Sequence, residues 1–361
     1  VEFTLYHPFA PFLNYLTDSC AMIVPPAAYQ GGEFNPIGSG PFVFSSWTRG
    51  KSLILTRNPG YWGPHSSLEK IVFTAQPNPM WRILQIKNGI ADIITLQSEK
   101  EYEELLGRND ILKLPLHSFS TYALSFNCRK KIFDRADVRR AFTHLLDKPV
   151  LVRQIFQEFA VPAVTLLPKQ LFGFNDRLAE PGFDIEKARQ LLAKAGLAGG
   201  FACKVFFADG NPGVEELINR LVLNARQVKV RITKVRLPFR RLQEAANRGE
   251  HDLLCVGWTG TPDPDYYLMP LLTLGKGNSN RSFYQNPELD AILRRARETI
   301  DPGKRKALYF RAQEIVYREV PLIPLFHLRE IVATQPRVQN VFIDPADHLI
   351  FREAFKEGSG K

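Results

Sequence analysis

Nine consecutive residues, Gly257-Trp258-Thr259-Gly260-Thr261-Pro262-Asp263-Pro264-Asp265, gather a large aromatic, two hydroxyls and two carboxylates. These groups suit reversible recognition. The ring offers a stacking face, Thr259, Thr261 and the backbone of Gly260 offer hydrogen bonds, and the carboxylates can meet a cation. The run ahead of them, Asp252-Leu253-Leu254-Cys255-Val256, reads as a short buried strand. Gly260, Pro262 and Pro264 cannot continue a ladder, so the chain leaves the strand there. The group therefore sits at a strand end, where open α/β sheets bind ligands. Two readings stand for Trp258: a ligand-stacking ring, or a core tryptophan above an ordinary turn. Asp263 and Asp265 divide between pairing with a ligand cation and capping the next helix. Tyr266 and Tyr267 read as packing residues of that helix or turn.

Nothing of comparable density points to catalysis. There is no G-x-x-x-x-G-K-[ST] loop, no H-E-x-x-H and no G-x-S-x-G elbow, and the seven histidines are scattered. The expectation is that the chain is not an enzyme and carries no cofactor or metal. Cys20, Cys128, Cys203 and Cys255 are far apart, without C-x-x-C or zinc-finger spacing. Cys203 and Cys255 fall in apolar, strand-like runs and read as small buried side chains. The net charge of +10 comes from 47 Lys and Arg against 37 Asp and Glu, spread over the polar faces of helices. That distribution reads as a solvated surface, and no nucleic-acid partner is expected. No apolar run approaches the roughly 18 residues of a membrane span, and no signal peptide is visible at Val1-Glu2-Phe3-Thr4-Leu5-Tyr6, which alternates like a strand.

At 361 residues the chain is too long for one core, and two lobes are expected. The first 120 residues read as strands and turns. Phe42-Val43-Phe44 and Leu53-Ile54-Leu55 flank a hairpin turn, Ile71-Val72-Phe73 is a strand, and a short helix over 80–87 stops at Asn88-Gly89. From Tyr122 strands alternate with helices. Asp137 reads as the cap of a helix burying Val138, Ala141, Phe142, Leu145 and Leu146, and Asp184 as the cap of another. Asn286-Pro287 and Asp301-Pro302 open two more. Pro321–Phe326 is an apolar strand bracketed by prolines, and strand-like character returns at Ile331 and Val341. The fold class is α/β. One lobe, 1–121 with 327–361, is interrupted by a second, α/β lobe over 122–326, with hinge crossings near Tyr122 and Phe326.

In order along the chain, several segments resemble the extracellular solute-binding proteins of the peptide/nickel/dipeptide cluster, family 5, the receptors of ABC importers. They are Pro36-Ile37-Gly38-Ser39-Gly40-Pro41-Phe42, Arg57-Asn58-Pro59-Gly60-Tyr61-Trp62, Leu84 through Asp92, Phe133 through Ala141, the Gly257-Trp258 loop, Asn280-Arg281-Ser282 through Asp290, and Pro321 through Leu325. Each is weakly specific alone; the ordered set is strongly so. The resemblance implies a two-lobed, type II periplasmic-binding-protein-like fold of mixed sheets with flanking helices and a ligand cleft between the lobes. It implies a monomeric receptor that captures a peptide or similar small solute by hinge closure and delivers it to a membrane permease. The place would be periplasmic or extracellular, with a lipid anchor ahead of Val1 as one form. Alternatives are a solute-sensing domain of a regulator, or a receptor for a nickel chelate, an oligosaccharide, an opine or haem.

The resemblance places Trp258 at the cleft and makes Asn280, Arg281 and Tyr284 a second group, on the loop that lines the cleft from the α/β lobe. Arg281 suits a carboxylate, or a structural ion pair with an acidic neighbour. Tyr122 and Asn127 flank the first hinge strand, where packing competes with ligand contact. Two departures stand out. The family's N-terminal part is missing ahead of Val1. Thr261 also stands where some peptide binders place an aspartate, and Phe206–Pro212 lacks the arginine that dipeptide binders use, so Asp263 and Asp265 become the candidate substitutes.

Overall fold

Bulky and small residues alternate through Thr121–Phe126, and in the computed structural model they fall on opposite faces of one strand, Leu112–Phe126. Leu124 and Phe126 enter a large apolar core, and Tyr122 packs against its edge. The structure describes residues 2–28, 35–275, 279–344 and 348–357.

The chain forms two units: Val1–Thr17 with Phe119–Leu328, and Asp18–Ser118 with Arg329–Lys361. The crossings thus fall three residues before and two residues after those expected, and Val1–Thr17 belongs with the α/β unit. Side chains explain that assignment. Asn14 donates to Asp263 (2.8 Å), the Tyr15 hydroxyl donates to Asp265 (2.8 Å), and the Ala10 amide donates to the Arg297 carbonyl (2.8 Å). No strand forms over the described residues 2–11; a short helix, Phe12–Tyr15, follows.

In the α/β unit the sheet order is Leu322–Thr334, Leu112–Phe126, Leu253–Thr259, Phe201–Ala208, Val230–Leu237, with Ala160–Pro162 paired to the first strand. Phe201–Ala208 runs parallel to both neighbours, and Leu253–Thr259 runs antiparallel to Leu112–Phe126. Helices Ala136–Thr143, Lys148–Phe156, Ile185–Lys194 and Pro212–Gln227 bury their apolar stripes against one face. The other face carries a smaller cluster under the helix Phe239–Arg248, which ends at Gly249 with φ +70°. Asp184, Asn286 and Asp301 cap their helices as their spacing suggests, each side chain accepting from a first-turn amide. Asp137 does not cap: the N-cap is Arg135, and Asp137 lies in the first turn, where it pairs with Arg140. The apolar segment at Pro321 does not stop at Phe326 either. It continues as one strand to Thr334.

The second unit holds a three-stranded antiparallel sheet of Phe42–Thr48, Ser52–Arg57 and Lys70–Thr74. Its helix Pro79–Lys87 is capped by Asn78, and the strand Ile93–Leu96 pairs with Ile331–Thr334. All four cysteines are free. Burial pushes the thiols of Cys203 and Cys255 up to about 12 and that of Cys128 up to about 11, whereas Cys20 is exposed.

Candidate functional site

Strand pairing sets the floor of the site. Thr121, Ala123 and Ser125 stand opposite Trp258, Val256 and Leu254 in the antiparallel ladder, so all six side chains share one face. Together with Leu242 and Ala246 of the overlying helix, and with Arg281, they line a cavity of about 100 Å3. Trp258 is half-buried there. Its indole N–H donates to the Tyr266 carbonyl (3.0 Å), and the two rings lie 6.0 Å apart at 44°. The indole is neither a closed core residue nor a free one: its edge is anchored while part of the ring faces the cavity. On the opposite face Gly257 leaves room for Tyr122, whose ring a Cβ there would meet at 2.8 Å. Tyr122 stacks on Phe326 (4.8 Å, 15°), a packing role for this candidate.

Thr259 is exposed, and its hydroxyl meets that of Ser120 (2.8 Å). Gly260 is enclosed: its amide donates to the Phe119 carbonyl, and the ring of the buried Tyr267 occupies the space a Cβ would need. The Thr261 hydroxyl is buried without a hydrogen-bond partner among the described residues. Asp263 and Asp265 form ion pairs within the protein. Arg305 grips Asp263 through two nitrogens (3.0 and 2.7 Å), and Arg297 grips Asp265 likewise (3.0 and 2.8 Å). Both carboxylates are buried, so a ligand cation would have to displace a guanidinium. Asp263 also accepts from the Asp265 amide (2.9 Å), a turn-capping contact at the start of helix Asp265–Leu272.

The second group separates into scaffold and rim. Asn280 is buried and donates to the Tyr284 carbonyl (3.0 Å) while accepting from Ser282. Tyr284 is also buried and accepts from Asn286 (2.9 Å). Asn127 donates to the carbonyls of Gly249 and His251 (both 3.0 Å). Asn280 and Tyr284 brace the loop, and Asn127 holds the Gly249–His251 segment beside it. Arg281 reaches the cavity, and burial pushes its guanidinium below the usual value.

The loop hangs from His251. Its Nε2 donates to the Arg281 carbonyl (2.9 Å), which leaves Nδ1 buried without a hydrogen-bond partner among the described residues. Burial holds the ring's pKa below the ordinary value, against an opposing effect of that bond and of Asp252. Above about pH 6.5 folded and unfolded rings are both neutral, and stability is at its full value. As pH falls below that point the unfolded chain takes the proton first, and stability declines until the folded ring also protonates. Melting temperatures at pH 7.5 and 5.5 should therefore differ more in the wild type than in His251→Gln. Equal differences would clear this ring of the effect.

A family model described as "Bacterial extracellular solute-binding proteins, family 5 Middle" matches residues 1–279. The chain belongs to this family. It is 28% identical over 325 residues to heme-binding protein A of Haemophilus influenzae, covering 88% of this chain and 59% of that protein. It is 26% identical to the dipeptide-binding protein of Escherichia coli, covering 96% and 68%. Among solved structures, HbpA2 from Haemophilus parasuis aligns with TM-score 0.89 at 25% identity, over 98% of this chain and 73% of that one. The peptide-bound DppA from Helicobacter pylori aligns with TM-score 0.81 at 26% identity, over 98% and 72%. The chain thus spans well under two thirds of its Haemophilus influenzae relative. The fold is α/β and two-lobed, of the periplasmic-binding-protein type, and the named relatives are binding proteins rather than enzymes. Among the described residues no helix is long and apolar enough to cross a membrane.

Within this family 5 chain, the structure brings Trp258 and Arg281 to one cavity across 23 positions of sequence. Its small-residue floor, Thr121, Ala123 and Ser125, escapes a search for charged or aromatic ligands. The signal was the alternation itself: every second residue of a buried strand is small.

Proposed function

We propose that this chain is the solute-binding receptor of an ABC importer, capturing a peptide or similar small solute by hinge closure and handing it to a membrane permease. The reading includes a periplasmic or extracellular place and a monomeric state. The observation that supports it most is the convergence of a half-buried tryptophan and a partly buried arginine on one cavity in a family 5 chain. An aromatic wall supplies area at low entropic cost, and a guanidinium supplies orientation. The heme-binding relative supports a second reading, a haem receptor.

Thermal shift against a panel of di- and tripeptides, haem and other small solutes separates the two, because a ligand that binds only the folded state raises the melting temperature. Recovery of the ligand intact is expected, and its consumption would overturn the receptor reading. Trp258→Ala should weaken binding by roughly 1–3 kcal/mol, as loss of an aromatic anchor does. The fold should lose less, since the ring is only half buried. Large destabilisation with unchanged affinity would remove Trp258 from the site.

A further inference from the structure

Half of the chain's net charge of +10 falls in residues 215–244, where eight Lys and Arg stand against three Glu. All eight cations are exposed. The fold sets them along one rim. Val230–Leu237 is the edge strand of its sheet, with helix Pro212–Gln227 on one face and helix Phe239–Arg248 on the other. Val230 and Ile232 turn into the large core. Further along the same face, Lys234 reaches Asn219 (2.7 Å) and Arg236 reaches Glu215 (3.1 Å), so strand and first helix present one continuous surface. The glutamates pair with Arg220, Lys234, Arg236, Arg240 and Arg241. Arg226, Lys229 and Arg231 form no ion pair among the described residues. Leu223, 54% exposed, lies between Arg220 and Arg226 on the outer stripe of the first helix.

A basic edge strand discourages pairing with another sheet. That role asks nothing of Arg226, which is on the helix, nor of an exposed leucine beside it. Cations around an exposed apolar side chain fit a layer of anionic headgroups over hydrocarbon. We propose that this rim docks on a membrane surface of anionic phospholipids, with Arg226, Lys229 and Arg231 meeting phosphates and Leu223 entering the headgroup boundary. The docking rests on the charge of the rim and not on the solute, so it stands or falls apart from the receptor reading.

Flotation of the full-length protein with vesicles of equal parts phosphatidylglycerol and phosphatidylcholine tests this, with phosphatidylcholine vesicles as the reference. At about 0.1 M salt the anionic vesicles should bind at least about tenfold more tightly, and the preference should fade at about 0.5 M, where screening is stronger. A variant with Arg226→Gln, Lys229→Gln and Arg231→Gln should bind anionic vesicles about a hundredfold more weakly, about fivefold for each cation lost. If it does not fold, Arg226→Gln alone should cost about fivefold. Lys304→Gln with Lys306→Gln and Arg318→Gln removes equal charge from helix Pro302–Glu319 and should change the affinity less than about threefold, since exposed charges beyond a Debye length are screened. No preference for anionic vesicles at the lower salt overturns the proposal. So do equal losses in the two triple variants, which would make the attraction one of net charge alone. Thermal shift with solute on the same samples reports on the receptor reading separately.

Discussion

Asp263→Ala is expected to cost the fold about 3–5 kcal/mol, the scale of breaking a buried ion pair on one side. The carboxylate is fully buried. It accepts two bonds from Arg305 (3.0 and 2.7 Å), one from Asn14 (2.8 Å) and one from the Asp265 amide (2.9 Å). Alanine would leave the Arg305 guanidinium buried opposite nothing, still bonded to the Tyr309 hydroxyl (2.9 Å). Desolvation without compensation is the source of the loss. Asp263→Ala with Arg305→Met should recover much of it, because the double variant buries no orphan charge. Urea melts of the wild type and the two variants measure both effects. A single-variant loss below about 1 kcal/mol would mean that water reaches Arg305 and that the pair resembles a surface bridge.

Phe142→Ala is expected to match that effect, about 3–5 kcal/mol, by a different route. Phe142 is fully buried, with its ring 5.5 Å from Phe126 and 5.6 Å from Phe133, both edge-on. Alanine removes the ring and leaves a void among side chains that are themselves held by the sheet. Affinity for any ligand should hold in the folded fraction, since Phe142 packs on the sheet face opposite the candidate cavity. The denaturation midpoint should fall with little change in the slope, and a changed slope would point to an altered compact state instead.

These two residues also mark what the sequence discloses. Phe142 was legible because helical spacing is local: Val138, Ala141, Phe142, Leu145 and Leu146 fall within nine positions and all are buried, although the helix ends at Thr143 and the last two lie beyond it. The caps at Asp184, Asn286 and Asp301 were legible for the same reason. The partners of Asp263 and Asp265 were not, because Arg305 and Arg297 lie 42 and 32 positions away, and no periodicity links a loop aspartate to a distant arginine. Asp137 misled through its residue type alone. A helix two residues longer at its start moved the cap position to Arg135. Trp258 and Arg281 were reached as separate candidates from strand-end chemistry and from resemblance. Their shared cavity depends on pairing between strands more than a hundred positions apart.

The buried thiols make the α/β unit its own clock. A thiol reacts as its thiolate, and Cys203 and Cys255 are both sheltered and held protonated at neutral pH. Alkylating reagents can therefore reach them only while the sheet is transiently open, and the labelling rate then reports the free energy of that opening. Cys20, exposed and in the other unit, labels without waiting for such an event and calibrates the reagent in the same tube. A ligand that fastens the α/β unit would slow the first two reactions and leave the third at its own pace.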